Sequence, residues 1–229
     1  MATGPHQSLR ALVEGARGAL KVFPLPGVVV FPGTPMPLHV FEPRYRAMTA
    51  DALAGDRVMA VATLRDAADA PEDRAPLHPV AGAAVVEAEE RLPEGRYNLV
   101  LRGVSRVRLR RELDNGKPYR EFEVEVLEDQ YPSEGPAGVQ DRVEALEQAV
   151  YELAQVLPAE SGASELAQIA ARLRSPGRLA DLVAAAVVSE PRLRLEVLEA
   201  LDVGRRLELV LGEVAEVLLV LSKGKGARA

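Results

Sequence analysis

Residues 23–46 read FPLPGVVVFPGTPMPLHVFEPRYR. Prolines stand at 24, 26, 32, 35 and 37, and Pro43 opens the next segment. Each proline fixes its own φ and removes a backbone donor. Each also pushes the residue before it toward extended geometry. Phe23, Leu25, Phe31, Thr34 and Met36 are therefore biased to extended backbone. Short strands and stiff connectors are expected here, with Val28, Val29 and Val30 as one short buried strand. From Glu42 the pattern changes. Tyr45, Met48, Ala52 and Leu53 recur at helical spacing. Pro43 suits the first helical position, Glu42 the positive helix start, and Gly55 the stop. The stretch reads as strand, proline arch and amphipathic helix.

Phe31-Pro32-Gly33, and the run Pro37-Leu38-His39-Val40-Phe41-Glu42-Pro43-Arg44-Tyr45, closely resemble the opening of the N-terminal substrate-binding domain of Lon proteases. Downstream, RYNLVLRGVSRVRLRREL resembles that family's segment in which a strand runs through Gly-x-x-Arg into another strand, with Gly103 and Arg106 in those places. The hairpin before it departs: where the family carries Gly-Thr, this chain reads Ala81-Gly82-Ala83. LADLVAAAVV and LEVLEALDVGRRLELV resemble the family's helical half, so the likeness spans roughly residues 20–221. It implies an α+β fold, a mixed β pseudo-barrel like that of PUA domains with one inserted helix, followed by a helical bundle.

The bulk properties agree. The chain has 229 residues, 48% hydrophobic and 27% charged, with a net charge of −6. This is a globular composition long enough for one large or two small domains. The acidic balance argues against a broad phosphate-binding surface. With no cysteine, thiol catalysis, disulfides and thiolate metal sites are excluded. No apolar run of membrane-spanning length and no signal-peptide core occur, which reads as a cytoplasmic protein.

Outward from the opening stretch, residues 1–19 are expected as a disordered or short helical leader, with residues 1–7 disordered and Leu9, Leu12, Val13, Ala16 and Leu20 at helical spacing. Strands are expected over residues 57–64, 80–88, 96–104, 107–113 and 120–128, with a surface loop over 65–79. In the last strand, Phe122, Val124 and Val126 face in and Glu121, Glu123 and Glu125 face out. The basic strand 106–111 and the acidic strand 121–128 are expected to be neighbours. The β lobe spans 20–130, Pro, Ser and Gly mark a linker at 131–138, and helices fill 139–222. Ser175, Glu190 and Asp202 stand at helix starts, and 223–229 forms a frayed tail.

His39 lacks a partner nucleophile and reads as structural. His6 and His78 have no metal-ligand spacing with it. Glu42 serves the helix start, with an arginine of Arg44 and Arg46 bound to an internal carboxylate or carbonyl. Glu87, Glu89 and Glu90 read as strand-end residues rather than catalytic carboxylates. The chain carries no nucleotide-cradling glycine loop and nothing like the Ser-Lys unit or the motor of Lon enzymes. It reads as a Lon-type module standing alone, without catalysis, cofactor or metal.

The resemblance implies a site that binds unfolded or degron-bearing clients in an apolar groove or at a sheet edge between the lobes, beside a protease partner. Phe31, Met36, Leu38, Phe41 and Tyr45 are the candidate contacts. The last helix has apolar surface enough to permit association. The alternative is RNA binding through arginines 102–111, as in PUA domains. It is weighed against a face neutralised by glutamates 121–128.

Overall fold

The computed structural model describes residues 5–65 and 75–226. It divides into two compact units, one ending at Glu128 and the other beginning at Asp129. Among the described residues there are six strands and seven α-helices. The fold is thus the expected mixture of a mixed β-sheet and helices.

The first unit begins with α1 (Pro5–Ala16). β1 (Leu20–Leu25) and β2 (Pro35–Val40) come next, then α2 (Pro43–Ala54) and β3 (Val58–Thr63). β4 (Val80–Arg91), β5 (Tyr97–Glu112) and β6 (Arg120–Val126) complete it. The strand order is β2-β5-β4-β3-β1-β6, and β5 also pairs with β6, which closes a ring. β1 and β3 are parallel; the other pairs are antiparallel.

The long β5 makes the closure. Its first half pairs with β2, its end from Val107 onward with β6, and residues 97–108 with β4. The two separate strands expected over 96–104 and 107–113 form one continuous strand instead, because register shifts at Ala83/Ala84 and Leu109/Arg111 absorb the bend. The leading helix stops at Ala16, and Leu20 opens β1 rather than closing the helix. Pro5, His6 and Gln7 belong to that helix; residues 1–4 lie outside the described residues, as do residues 66–74 of the expected surface loop.

β3 reads VMAVAT and is buried throughout, because both its faces are covered. Val58, Ala60 and Ala62 join a cluster with Val13, Leu20 and Phe122. Met59 and Val61 join a second cluster with Tyr45, Met48 and Ala52 of α2. Phe23 stacks on Tyr45 with ring centroids 4.2 Å apart, a contact that adds to plain area burial.

The valine run is the main departure. Val28, Val29 and Val30 form no strand. They belong to an arch that crosses β4 and β5 backbone to backbone. A Cβ on Gly82 would stand 2.1 Å from the Val30 carbonyl oxygen, and one on Gly103 would stand 2.0 Å from that of Phe31. Gly33 N donates to Gly103 O at 2.8 Å, and Gly103 N to Thr34 O at 2.9 Å. The glycines thus open two seats through which the arch is hydrogen-bonded to β5. Phe31 is fully buried under it.

Glu121 is the second departure. It is only 6% exposed, because β6 lies between β1 and β5 in a closed ring. Lys21 is its cross-strand partner, and the Asn115 amide donates to its carboxylate. Beside it Asp51 accepts from Lys117 and Tyr119, each at 2.5 Å. These two hydrogen bonds hold the Asp51 carboxyl below its ordinary 3.8. Burial, aided by the bond to Asp51, pushes the Tyr119 phenol up from 10.0 to about 12. A group raised on folding stabilises fully below its unfolded value and loses that contribution as pH rises through its folded value. Thermal stability is therefore expected to fall between pH 10 and 12, and Tyr119→Phe to flatten that fall. Parallel melting curves of the two proteins over that range check it; equal slopes would refute it.

The second unit holds α3 (Gln140–Val156), α4 (Ala163–Ala170), α5 (Pro176–Val187), α6 (Pro191–Glu199) and α7 (Val203–Gly226). The expected apolar stripe Val143, Leu146, Val150 and Leu153 is buried, as are Leu207, Val210 and Val214 of α7. Residues 133–139 lie in this unit, and Gly135–Val139 forms a 3-10 turn. The helix starts are met differently. The Glu190 carboxylate accepts from Leu193 N at 2.5 Å and Asp202 from Arg205 N at 2.8 Å. Ser175 makes no such cap. The expected frayed segment 223–226 continues α7.

Arg206 is completely buried in this unit. Its Nη2 donates to Asp129 at 2.6 Å and its Nε to the Ala200 carbonyl at 3.0 Å, while Nη1 reaches Asp181 at 3.5 Å. Gly177 leaves the room: a Cβ there would meet Asp129 Oδ2 at 2.1 Å.

Candidate functional site

The cross-strand register places three short rows on the outer face of β2–β5–β4. The middle row is Pro37–Val100–Ala88. One flanking row is His39–Asn98–Glu90, and Pro35–Arg102 lies on the other side. Side chains two apart along a strand share a face, so these rows lie together, opposite the Leu38–Leu99 and Met36–Leu101 pairs. Pro37 and Ala88 are exposed and Val100 is half-buried. The result is an uncovered apolar floor between two polar borders. A cleft of about 430 Å³ lies here, lined by Pro37, His39, Ala88, Glu90, Asn98 and Val100 and by the backs of Leu38, Glu89 and Leu99.

Each border is internally hydrogen-bonded, and one of them is also ion-paired. Arg102 grips Glu87 through Nε and Nη2, at 3.0 and 2.8 Å. At the other border the Asn98 amide donates to Glu90 Oε2 at 2.8 Å. The Asn98 carbonyl oxygen then faces His39 Nδ1, also at 2.8 Å. His39 Nδ1 therefore carries the proton and donates. Phe41 stacks on the His39 ring, with centroids 6.0 Å apart, and is 59% exposed. Among the described residues no serine, threonine, cysteine or lysine lines the cleft, so none of them offers His39 a nucleophile to activate there.

Of the five apolar contacts expected from sequence, Phe41 is exposed on this face, and Leu38 lines the cleft. Met36 and Leu38 also pack against the core beneath. Phe31 and Tyr45 are core residues, 0% and 6% exposed. The arch seats Phe31, and the inner face of α2 turns Tyr45 onto Phe23, so neither is offered to a ligand. Reading the alternation of β5 across to β4 would have found Val100, Asn98, Ala88 and Glu90. The face emerges only when register is known, since no one strand shows it.

The family-motif residues explain the scaffold around the face. Pro32 and Gly33 turn the arch, and Gly103 receives it. Pro43 sits at the start of α2, and Glu42 makes no side-chain cap. Glu42 accepts instead from Arg44 Nε at 2.9 Å, and Arg44 lies over the Tyr45 ring. Arg46 donates to the Glu94 carbonyl, which matches the structural reading of that cluster. Arg106 is 3% exposed and is part of the barrel.

The free edge of β2 is a poor template for an added strand. Thr34 O faces β5, and backbone groups alternate along a strand. The outward set is therefore Pro35, Pro37 and His39, which together offer three carbonyls and one N–H. Prolines blunt an edge in this way. The arginine stripe of β5 is likewise occupied. Arg108 and Arg110 pair with Glu125, and Arg111 with Glu123, as their cross-strand placement leads one to expect. No unpaired basic track for RNA remains among these arginines. A second cleft, of about 640 Å³ and lined by Lys21, Asp51, Asp56, Lys117 and Glu121, has both its lysines paired internally, as Lys21–Asp56 and Lys117–Asp51. Among the described residues no acidic or histidine cluster is placed to hold a metal, and no helix is long and apolar enough to cross a membrane.

Comparison with known proteins agrees with the fold. Residues 19–216 match the family of the ATP-dependent protease La (LON) substrate-binding domain. Lon protease 2 of Myxococcus xanthus is 34% identical over 196 residues, which cover 84% of this chain and 23% of that protein. The Lon protease of Anaeromyxobacter dehalogenans is 32% identical over 207 residues, 86% of this chain and 23% of that protein. The chain thus spans under a quarter of the length of these relatives. Among solved structures, the N-terminal domain of Mycobacterium avium complex Lon protease aligns with a TM-score of 0.67 at 21% identity, covering 86% of this chain and 98% of that one. The Lon N-terminal domain protein of Xanthomonas campestris aligns with a TM-score of 0.57, also at 21% identity, over 85% and 97%. With a family match over residues 19–216, nearly the whole of both units, the chain belongs to the Lon substrate-binding domain family.

Proposed function

We propose that this chain is a non-catalytic recognition module that holds unfolded or degron-bearing protein segments on the outer face of β2–β5–β4. It works in the cytoplasm and delivers them to a protease partner. The observation that carries this reading is the uncovered apolar floor of Pro37, Val100 and Ala88 beside the exposed Phe41. Exposed apolar patches rimmed by polar residues mark interaction sites. The proline-blunted edge favours capture of side chains on the face over backbone pairing at the edge.

The test is an anisotropy titration with a fluorescent, apolar, unstructured peptide. Saturable binding is expected. Phe41→Ala and Ala88→Glu both alter exposed side chains, so folding is retained. Together they are expected to weaken binding at least about fivefold, as loss of an interface anchor does. The peptide is recovered intact by mass. Undiminished affinity in the double variant, or no saturation by the unaltered chain, would overturn the proposal.

A further inference from the structure

The three carboxylates at the end of β4 differ in what faces them. Glu87 is held by Arg102 and Glu89 by Arg57. Glu90 makes no ion pair with a described residue; its Oε2 accepts from Asn98 at 2.8 Å. Asn98 is itself fixed by His39, and His39 by its stack on Phe41. An exposed carboxylate is thus held in one orientation at the wall of an apolar cleft, with Oε1 left open and its charge uncompensated. Free glutamates on a surface normally turn freely; this one is oriented by two successive hydrogen bonds.

We propose that Glu90 is a specificity residue that selects a lysine or arginine next to the apolar side chain seated on Pro37, Val100 and Ala88. The inference rests on the peptide-binding reading above and names its substrate class: apolar segments carrying an adjacent cation. A ligand ammonium or guanidinium at the Glu90 carboxylate supplies the charge this wall lacks. A ligand carboxylate meets repulsion there. Complementary charge of this kind chiefly sets which partner binds.

The test uses a short fluorescent peptide of leucine and phenylalanine carrying one lysine, and two counterparts with glutamine or glutamate in its place. At low ionic strength the lysine peptide is expected to bind about two- to fivefold tighter than the glutamine peptide, the range for a partly exposed ion pair. Added salt narrows the gap. Glu90→Gln, which keeps an acceptor for Asn98, is expected to make the two bind alike. Glu90→Lys is expected to reverse the order in favour of the glutamate peptide. Equal binding of all three peptides by the unaltered chain, or a gap that survives in Glu90→Gln, overturns the selectivity and leaves the apolar site standing. Failure of all three to bind overturns both.

Discussion

Arg206→Leu is expected to destabilise the helical unit by about 3–5 kcal/mol, the cost of removing one partner from a buried ion pair. Arg206 is fully buried, and Asp181, 1% exposed, lies 3.5 Å from its guanidinium. Nη2 also reaches Asp129 at 2.6 Å. Removing the guanidinium takes a cation away from the buried Asp181 carboxylate and from Asp129, and leaves the Ala200 carbonyl without its two donors from this side chain. Arg206→Lys keeps the charge but loses the planar fork, so an intermediate loss is expected. The triple variant Arg206→Met, Asp181→Leu, Asp129→Asn is expected to recover much of the stability, since an apolar replacement removes the desolvation cost together with the attraction. Urea unfolding of the four proteins measures this. A loss below about 1 kcal/mol in Arg206→Leu, the surface-pair range, would contradict it.

Gly103→Ala is expected to cost about 3 kcal/mol or more in the first unit, at the upper end of overpacking. The added methyl would stand 2.0 Å from the Phe31 carbonyl oxygen, a backbone atom that no rotamer change can move. The arch must lift, which breaks the hydrogen bonds Gly33 N to Gly103 O and Gly103 N to Thr34 O. Gly82→Ala is expected to act alike, through Val30 O at 2.1 Å. Gly116→Ala meets open space but sits at a φ of 70°; its loss is expected to stay near about 1 kcal/mol, the cost of a left-handed backbone. Unfolding curves showing Gly103→Ala no worse than Gly116→Ala would refute the account of the arch.

These two sites show what a single sequence discloses. The proline spacing and the helical period from Tyr45 to Ala52 are local signals, and both elements form where they indicate. The alternation in residues 97–102 gave the correct faces of β5. What failed was pairing. Val28–Val30 has strand composition, yet it becomes an arch because Gly82 and Gly103, far along the chain, open seats beneath it. Glu121 follows an outward pattern, yet ring closure buries it beside Lys21. The same limit governs the site. Phe31 and Tyr45 are apolar and near the motif, but sequence does not tell a buried aromatic from an exposed one. The floor is assembled from Pro37, Val100 and Ala88 on three strands, so it exists only in the register.

The most direct test of the central claim is an amide chemical-shift map of the isotope-labelled chain titrated with an unlabelled apolar peptide. The account predicts that the saturating shifts centre on Phe41, Ala88, Glu90, Asn98 and Val100. Shifts confined to the Lys21–Lys117 cleft or to the helical unit, with those residues unmoved, would contradict it.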